Sequence, residues 1–327
     1  MTFDELAERA RSFQESRALL TAIELDIFTA VGEGASARAV AEGLSTNLRA
    51  TEMLLNALAA LGVLVKNEGV FKNLPDLARR LTGSSPENER AALMHTVHLW
   101  ERWSTLTECV RTGAAQDFKE IDARGEAWID AFIAAMHRNA SARAPLVVEA
   151  AGARGVRRML DVGGGSGAYS IAFAQASPDL HAEVFDLPPV LPIARGHIAR
   201  AGLSDRISTR AGDLRRDAFG EGYDLVFISA ICHMLGPEEN GDLFRRSFQA
   251  LAPGGRIVVQ DFILEPDKTA PQAAALFSLN MLVGTENGAS YSEREYALWL
   301  REAGFHEVRR IRLTEPTGLM LGTQVSG

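Results

Sequence analysis

The sequence predicts an α/β protein: a mostly parallel, doubly wound sheet with a C-terminal antiparallel hairpin, preceded by a helical half. Three observations carry this expectation. From Thr2 to about Ala150, apolar residues recur at three- and four-residue spacing, the helical period. From Arg157 the rhythm changes to short β-like runs alternating with helical ones, which predicts parallel strands joined by crossover helices. Directly behind the first of those runs, Gly163, Gly164, Gly165 and Gly167 crowd a single turn. Glycine inside regular structure costs roughly 0.5–1 kcal/mol relative to alanine. Four in one turn imply that something approaches the backbone closely.

In the first half, Ala18–Val31 and Ala50–Val65 read as amphipathic helices. The stretch ASARAVAEGLSTN between them reads as a short helix, a turn and the start of a recognition-like helix. GVLVKNEGVFKNL follows, with two β-like runs around Asn67-Glu68-Gly69, a hairpin signal. Three helices and a small hairpin make a winged-helix pattern. The recognition segment, Leu44–Glu52, carries Arg49 as its single cation, which argues against a DNA-reading role. Ala91–Gly113 and Glu126–Gly152 are long and apolar on more than one face, so they are expected to pack against a partner chain, the second domain or a substrate.

In the second half the expected strands are RRMLDVG, HAEVFDLP, ISTRAGDL, YDLVFISAI and GGRIVVQDFIL, with HEVRRIRL and TGLMLGTQV as the closing hairpin. A domain boundary is expected near 151–156, giving domains 1–150 and 151–327. The 327 residues are 46% hydrophobic and 23% charged, with a net charge of −8. The acidic balance excludes a general nucleic-acid or membrane-surface binder. The charged N-terminus is not a secretory signal, no run is long enough to span a bilayer, and the cytoplasm is the default compartment. Cys109 and Cys232 stand alone, without metal spacing, so neither a disulfide framework nor a metal site is expected.

In an open α/β sheet, ligands bind beyond the carboxyl ends of the strands, where the glycine turn lies. Gly163-x-Gly165-x-x-Ala168 fits a dinucleotide fingerprint, and Asp186 ends the next strand 23 positions after Gly163. An acid near that spacing can take both hydroxyls of a ribose. Asp213, after the third strand, could accept from an adenine amino group. These residues leave two cofactors open, a nicotinamide dinucleotide and S-adenosylmethionine.

The order of LDVGGGSG, FDLP, GDL, LAPGG and LREAGF resembles the S-adenosylmethionine-dependent O-methyltransferases, in particular the plant caffeate-type group and its bacterial small-molecule relatives. TAIELDIFTAV, LLNALAALGVL and FKNLPDLARRLT resemble that family's winged-helix dimerisation domain, so the likeness covers nearly the whole chain. It implies a Rossmann-like methyltransferase domain, S-adenosylmethionine as cofactor, a small-molecule acceptor and a homodimer. By the same likeness, Gly163, Gly164 and Gly165 would lie against the cofactor's methionine moiety and Asp186 with Leu187 would hold its ribose. Asp213 and Leu214 would flank the adenine, and Ser229 would touch the cofactor from the fourth strand.

A phenol has a pKa of about 10, so an acceptor needs a base at neutral pH. Of seven histidines, His233 alone lies just past a strand on the ligand side. It also matches the family's catalytic base. The family implies Asp261 and Glu286 as the acids that frame its ring, and Phe132, Met136, Asn280 and Met281 as the lining over the acceptor. The family follows this histidine with an Asp-Trp-like pair; here Met234 and Leu235 stand instead, which changes the local pocket. The alternatives are a relative that binds the cofactor yet decarboxylates or hydroxylates, and a winged-helix ligand sensor.

Overall fold

The computed structural model describes residues 1–116, 118, 125–313 and 317–325. The chain forms two compact units. One comprises Met1–Glu101 with Asp130–Ala135; the other comprises Arg102–Ile129 and Met136 onward. The boundary expected near 151–156 falls inside the second unit. The cause is one helix whose apolar pattern runs on without a break while its residues change unit.

The first unit runs α1 (Phe3–Arg11), α2 (Phe13–Glu24), α3 (Ile27–Val31), β1 (Ala35–Ser36), α4 (Ala37–Gly43), α5 (Leu48–Ala60), β2 (Leu64–Asn67), β3 (Val70–Asn73), α6 (Pro75–Leu81) and most of α7 (Arg90–Trp103). Side chains start these helices: Thr2 and Glu5 form a capping box on α1, and Ser36 and Asn47 cap α4 and α5. The helix expected over Ala18–Val31 is broken, because Asp26 takes a left-handed conformation (φ 58°) between α2 and α3. The hairpin is present. Asn67 pairs with Val70 across Glu68 and Gly69, both at positive φ, the turn whose twist suits a two-residue loop. β1 adds to β3, completing the winged-helix sheet β1-β3-β2. Its core holds Ile23, Ile27, Phe28, Val40, Leu55, Leu58 and Phe71.

The second unit continues with α8 (Leu106–Thr112), α9 (Glu126–Ala151), β4 (Arg158–Val162), α10 (Ala168–Ala176), β5 (His181–Asp186), α11 (Leu191–Arg200), β6 (Ile207–Ala211) and β7 (Tyr223–Ser229). A 3₁₀ turn at Cys232–Met234 follows. Then come α12 (Pro237–Ala250), β8 (Leu251–Asp261), β9 (Ile263–Leu264), α13 (Gln272–Gly284), β10 (Tyr291–Ser292), α14 (Glu293–Glu302), β11 (His306–Arg312) and β12 (Gly318–Thr323). All seven expected strands form one sheet in the order β11-β12-β8-β7-β4-β5-β6. The inner pairs are parallel, and β12 and β11 close it antiparallel. Apolar clusters cover both faces, with Leu160, Val226, Phe244 and Tyr296 on one and Met159, Phe173, Val184 and Phe227 on the other. Successive strands step outward from β4 through β5 to β6, and the chain then returns to β7 on the other flank. The sheet therefore reverses direction between β4 and β7, and a crevice opens beyond their carboxyl ends. Among the described residues, no helix is long and apolar enough to cross a membrane.

Candidate active site

The glycine turn leaves β4 at the edge of that crevice. Gly163, at φ +67°, donates its N–H to Phe185 O at 2.8 Å, so the turn begins as a continuation of the ladder to β5. A Cβ on Gly163 would overlap the Ile231 side chain, and one on Gly164 would stand 2.7 Å from Asp161 Cγ and 3.0 Å from Val184. Gly165, at φ +56°, faces open space. The three glycines thus have different reasons. The first two are demanded by the protein's own packing, and the third has open space where a side chain would stand. Gly167, at φ +75°, precedes α10.

Two acids underlie the turn. Asp161 is buried on β4 and accepts from Ser170 Oγ at 2.6 Å, while its second oxygen has no hydrogen-bond partner. Burial pushes its pKa up to about 7, against the Ser170 hydroxyl and with help from the Asp186 charge. Asp186 ends β5 and accepts from Gly165 N–H and Leu187 N–H, each at 2.7 Å. Desolvation raises it to about 6, and those two N–H groups resist the rise. Each Asp186 oxygen keeps a lone pair for a ligand hydroxyl. Asp213 is partly engaged in its own turn, accepting from Arg215 N–H at 2.8 Å. Leu214 lies against Gly163, so both meet at the crevice. Ser229 donates to Gln260 Oε1 at 2.5 Å.

His233 sits in the 3₁₀ turn beyond β7, and Asp261 ends the neighbouring β8; both are buried. His233 Nδ1 is 2.6 Å from Asp261 Oδ1. The same carboxylate accepts from Phe262 N–H at 2.8 Å and from His233 N–H at 3.2 Å. An oxygen already receiving a backbone N–H is an acceptor, so Nδ1 carries the proton and Nε2 is left as a base. Phe277 and Phe262 stand edge-on to the ring, at 4.8 and 5.9 Å, and stack on each other at 3.8 Å. Neither phenylalanine was singled out from the sequence. Phe262 follows Asp261 directly, a position that a closer reading of the strand end would have shown. Phe277 lies on α13.

The structure does not bring Glu286 to the ring. It is exposed in the loop after α13 and makes no hydrogen bond or ion pair among the described residues. That loop meets the histidine through backbone instead, since a Cβ on Gly288 would overlap His233 O. Asn280 and Met281 follow Phe277 on α13. Asn280 Oδ1 accepts from Trp103 Nε1–H at 2.9 Å, and Met281 is buried. Phe132 and Met136 lie one turn apart on α9 but belong to different units. Phe132 packs edge-on against His95, 5.3 Å away. Among the described residues, no cluster of His, Cys, Asp and Glu suits a metal ion.

A sheet of this order with a glycine turn and a His–Asp pair at its switch point defines a methyltransferase-type site. Comparison with known proteins gives the family. Residues 103–306 match the O-methyltransferase domain and residues 7–84 the O-methyltransferase dimerisation domain, and the chain belongs to this O-methyltransferase family. It is 34% identical to the 3-hydroxy-5-methyl-1-naphthoate 3-O-methyltransferase of Streptomyces sahachiroi, over 98% of this chain and 94% of that one. It is 29% identical to the tetracenomycin polyketide synthesis 8-O-methyl transferase TcmO of Streptomyces glaucescens, over 97% and 96%. Among solved structures it is similar to PigF with SAH, at 27% identity and a TM-score of 0.88, over 99% of this chain and all of the other.

Proposed function

We infer that this O-methyltransferase uses S-adenosylmethionine to methylate a hydroxyl of a small aromatic or polyketide-like molecule, with His233 as general base. The observation that carries the reading is the buried His233–Asp261 pair beyond the strand ends that also carry the glycine turn and the open space beside Gly165. Relatives named for a naphthoate and a polyketide support the acceptor class, and a similar structure named with SAH supports the cofactor.

The residues present fit the cofactor. Gly163, Gly164 and Gly165 offer backbone to its methionine part, and Asp186 has lone pairs for its ribose. Leu187, Asp213, Leu214 and Ser229 would border its adenosine. When bound, it supplies a methyl group activated on a sulfonium. The chain's own task is to align the acceptor, exclude water and remove a proton. Asp261 fixes the ring so that Nε2 faces outward as acceptor. Phe262 and Phe277 shield it, and the Asn280 amide, held by Trp103, offers its N–H₂ to a polar group on the acceptor. As the hydroxyl attacks, its proton passes to His233 Nε2, while Asp261 stabilises the resulting imidazolium. Transfer of a labelled methyl group from S-adenosylmethionine to a panel of phenols and hydroxynaphthoates tests this. Absence of transfer to every phenol, with the cofactor bound, would defeat the assignment.

The dimerisation domain supports a homodimer. On the unit that carries it, Phe3, Leu6 and Phe13 are 80%, 53% and 55% exposed along α1 and the start of α2. Such an apolar row suits a second copy. Sedimentation at micromolar concentration should give twice the monomer mass.

A further inference from the structure

The glycine turn has a second tether besides Asp186. His137 lies on α9, and its Nδ1 is 2.8 Å from the hydroxyl of Ser166, the residue that follows Gly165. Ser166 is 4% exposed. The His137 ring lies over the ring of His197 on α11, with centroids 3.6 Å apart and planes inclined by 33°. Ser141, one turn along α9, brings its hydroxyl to 3.4 Å from His137 Nε2. Arg200, on the turn of α11 after His197, acts electrostatically on both rings.

Two imidazoles packed this closely beside a guanidinium have little room for a proton. Burial and then Arg200 hold His137 below the ordinary histidine value. Burial, then His137 and Arg200, push His197 down to about 4. The pair is therefore a stack of neutral rings near neutral pH. Nothing in the His233 chemistry uses it.

We propose that His137 is a positioning residue for the cofactor turn: stacked on His197, it holds Ser166 and thereby the neighbouring Gly165 in the shape that receives the cofactor. This rests on the reading that Gly163–Gly165 take that ligand. Protonating either ring places a charge against the other ring and Arg200, separates the stack and releases Ser166. Cofactor affinity then falls as the pH drops. Asp186 holds the same turn through Gly165 N–H and also titrates, so its share has to be separated by variants.

The test is calorimetric titration of the protein with S-adenosylhomocysteine from about pH 8 down to about pH 4, the range in which His197 begins to take its proton. Each proton that binding displaces weakens affinity by at most about tenfold per pH unit. The wild type should show such an acid limb. His137→Gln keeps an uncharged hydrogen-bonding group for Ser166, and His197→Phe keeps a stacked ring that takes no proton. Both should bind like wild type near pH 8 and show a shallower acid limb. His137→Ala should bind up to about tenfold more weakly near pH 8. If His137→Gln and His197→Phe both retain the full acid limb, that limb belongs to Asp186 and the proposal is overturned. A wild type that binds no S-adenosylhomocysteine near pH 8 overturns the proposal together with the reading beneath it.

Discussion

Asp186 and Asp261 end two parallel strands of one sheet, and their surroundings differ in a telling way. Asp261 is fully buried and receives three donors from its own chain: the His233 ring, the His233 N–H and the Phe262 N–H. Asp186 is partly open and receives two, both backbone N–H groups. The first carboxylate spends its hydrogen-bonding capacity inside the protein and sets the direction of a base. The second keeps capacity for a ligand and carries the desolvation penalty, visible in a pKa near 6, until one arrives. On the roles proposed above, an acid that acts through another residue and an acid that binds a ligand are told apart by where their lone pairs go.

The sharpest way to break this comparison is at the two ends of it. His233→Ala should lower kcat by about 10²–10⁴ with S-adenosylhomocysteine affinity nearly unchanged. The variant should regain part of its rate toward about pH 10, where a phenol ionises unaided. Wild-type turnover at neutral pH in this variant would remove His233 from the mechanism. Asp186→Ala should do the reverse. It should weaken S-adenosylhomocysteine binding by about 1–3 kcal/mol, the range for hydrogen bonds involving a charged group, and leave kcat at saturating cofactor largely intact. A loss confined to kcat would place Asp186 with the catalytic acid instead.

The glycines sharpen the same contrast. Gly164→Ala pushes a methyl group into Asp161 and Val184, so it should lower stability by about 1–3 kcal/mol, measured by urea unfolding without ligand. Gly165→Ala meets no atom. Its cost to the free protein should be about 1 kcal/mol, from the left-handed backbone alone, and its larger effect should appear in cofactor binding. Equal losses of stability at both positions would contradict the division between packing and ligand glycines.

A further effect lies in pH dependence. Asp161 is raised to about 7 in the folded protein from an ordinary 3.8, so the folded state holds the extra proton between those values. Its contribution is present at low pH and is lost as pH rises through about 7. Relative to wild type, Asp161→Asn should therefore gain stability with rising pH, by at most about 1.4 kcal/mol per unit in that window. His197, lowered to about 4 from 6.5, acts in the opposite sense and costs stability as pH falls through that interval. A difference between Asp161→Asn and wild type that is flat from about pH 4 to about pH 8 would show that this acid does not titrate there.

What the sequence disclosed and what it hid follow from the range of the signal. Strands β4 to β8 and the β11–β12 hairpin show in short apolar runs bounded by turn residues, and the α14 start shows in its Ser292–Glu295 capping box. The glycine turn and Asp186 are local patterns too. α13 was hidden because Ala273–Val283 is apolar on nearly every side, which leaves no period to read. Phe277 was lost with it. The His137–His197 stack joins residues 60 positions apart that carry no motif, and only the crossover from α9 through the sheet to α11 brings them together. Glu286 was placed by resemblance alone; here it is exposed, and the loop that carries it meets His233 through the backbone at Gly288.

The contacts of Gly163 with Ile231 and of Gly288 with His233 O matter for anyone who would retune this enzyme. The short turn that presents the base is wedged at both ends against glycines, one belonging to the cofactor side and one to the loop beyond α13. Mutations there would tax the common machinery before they altered selectivity.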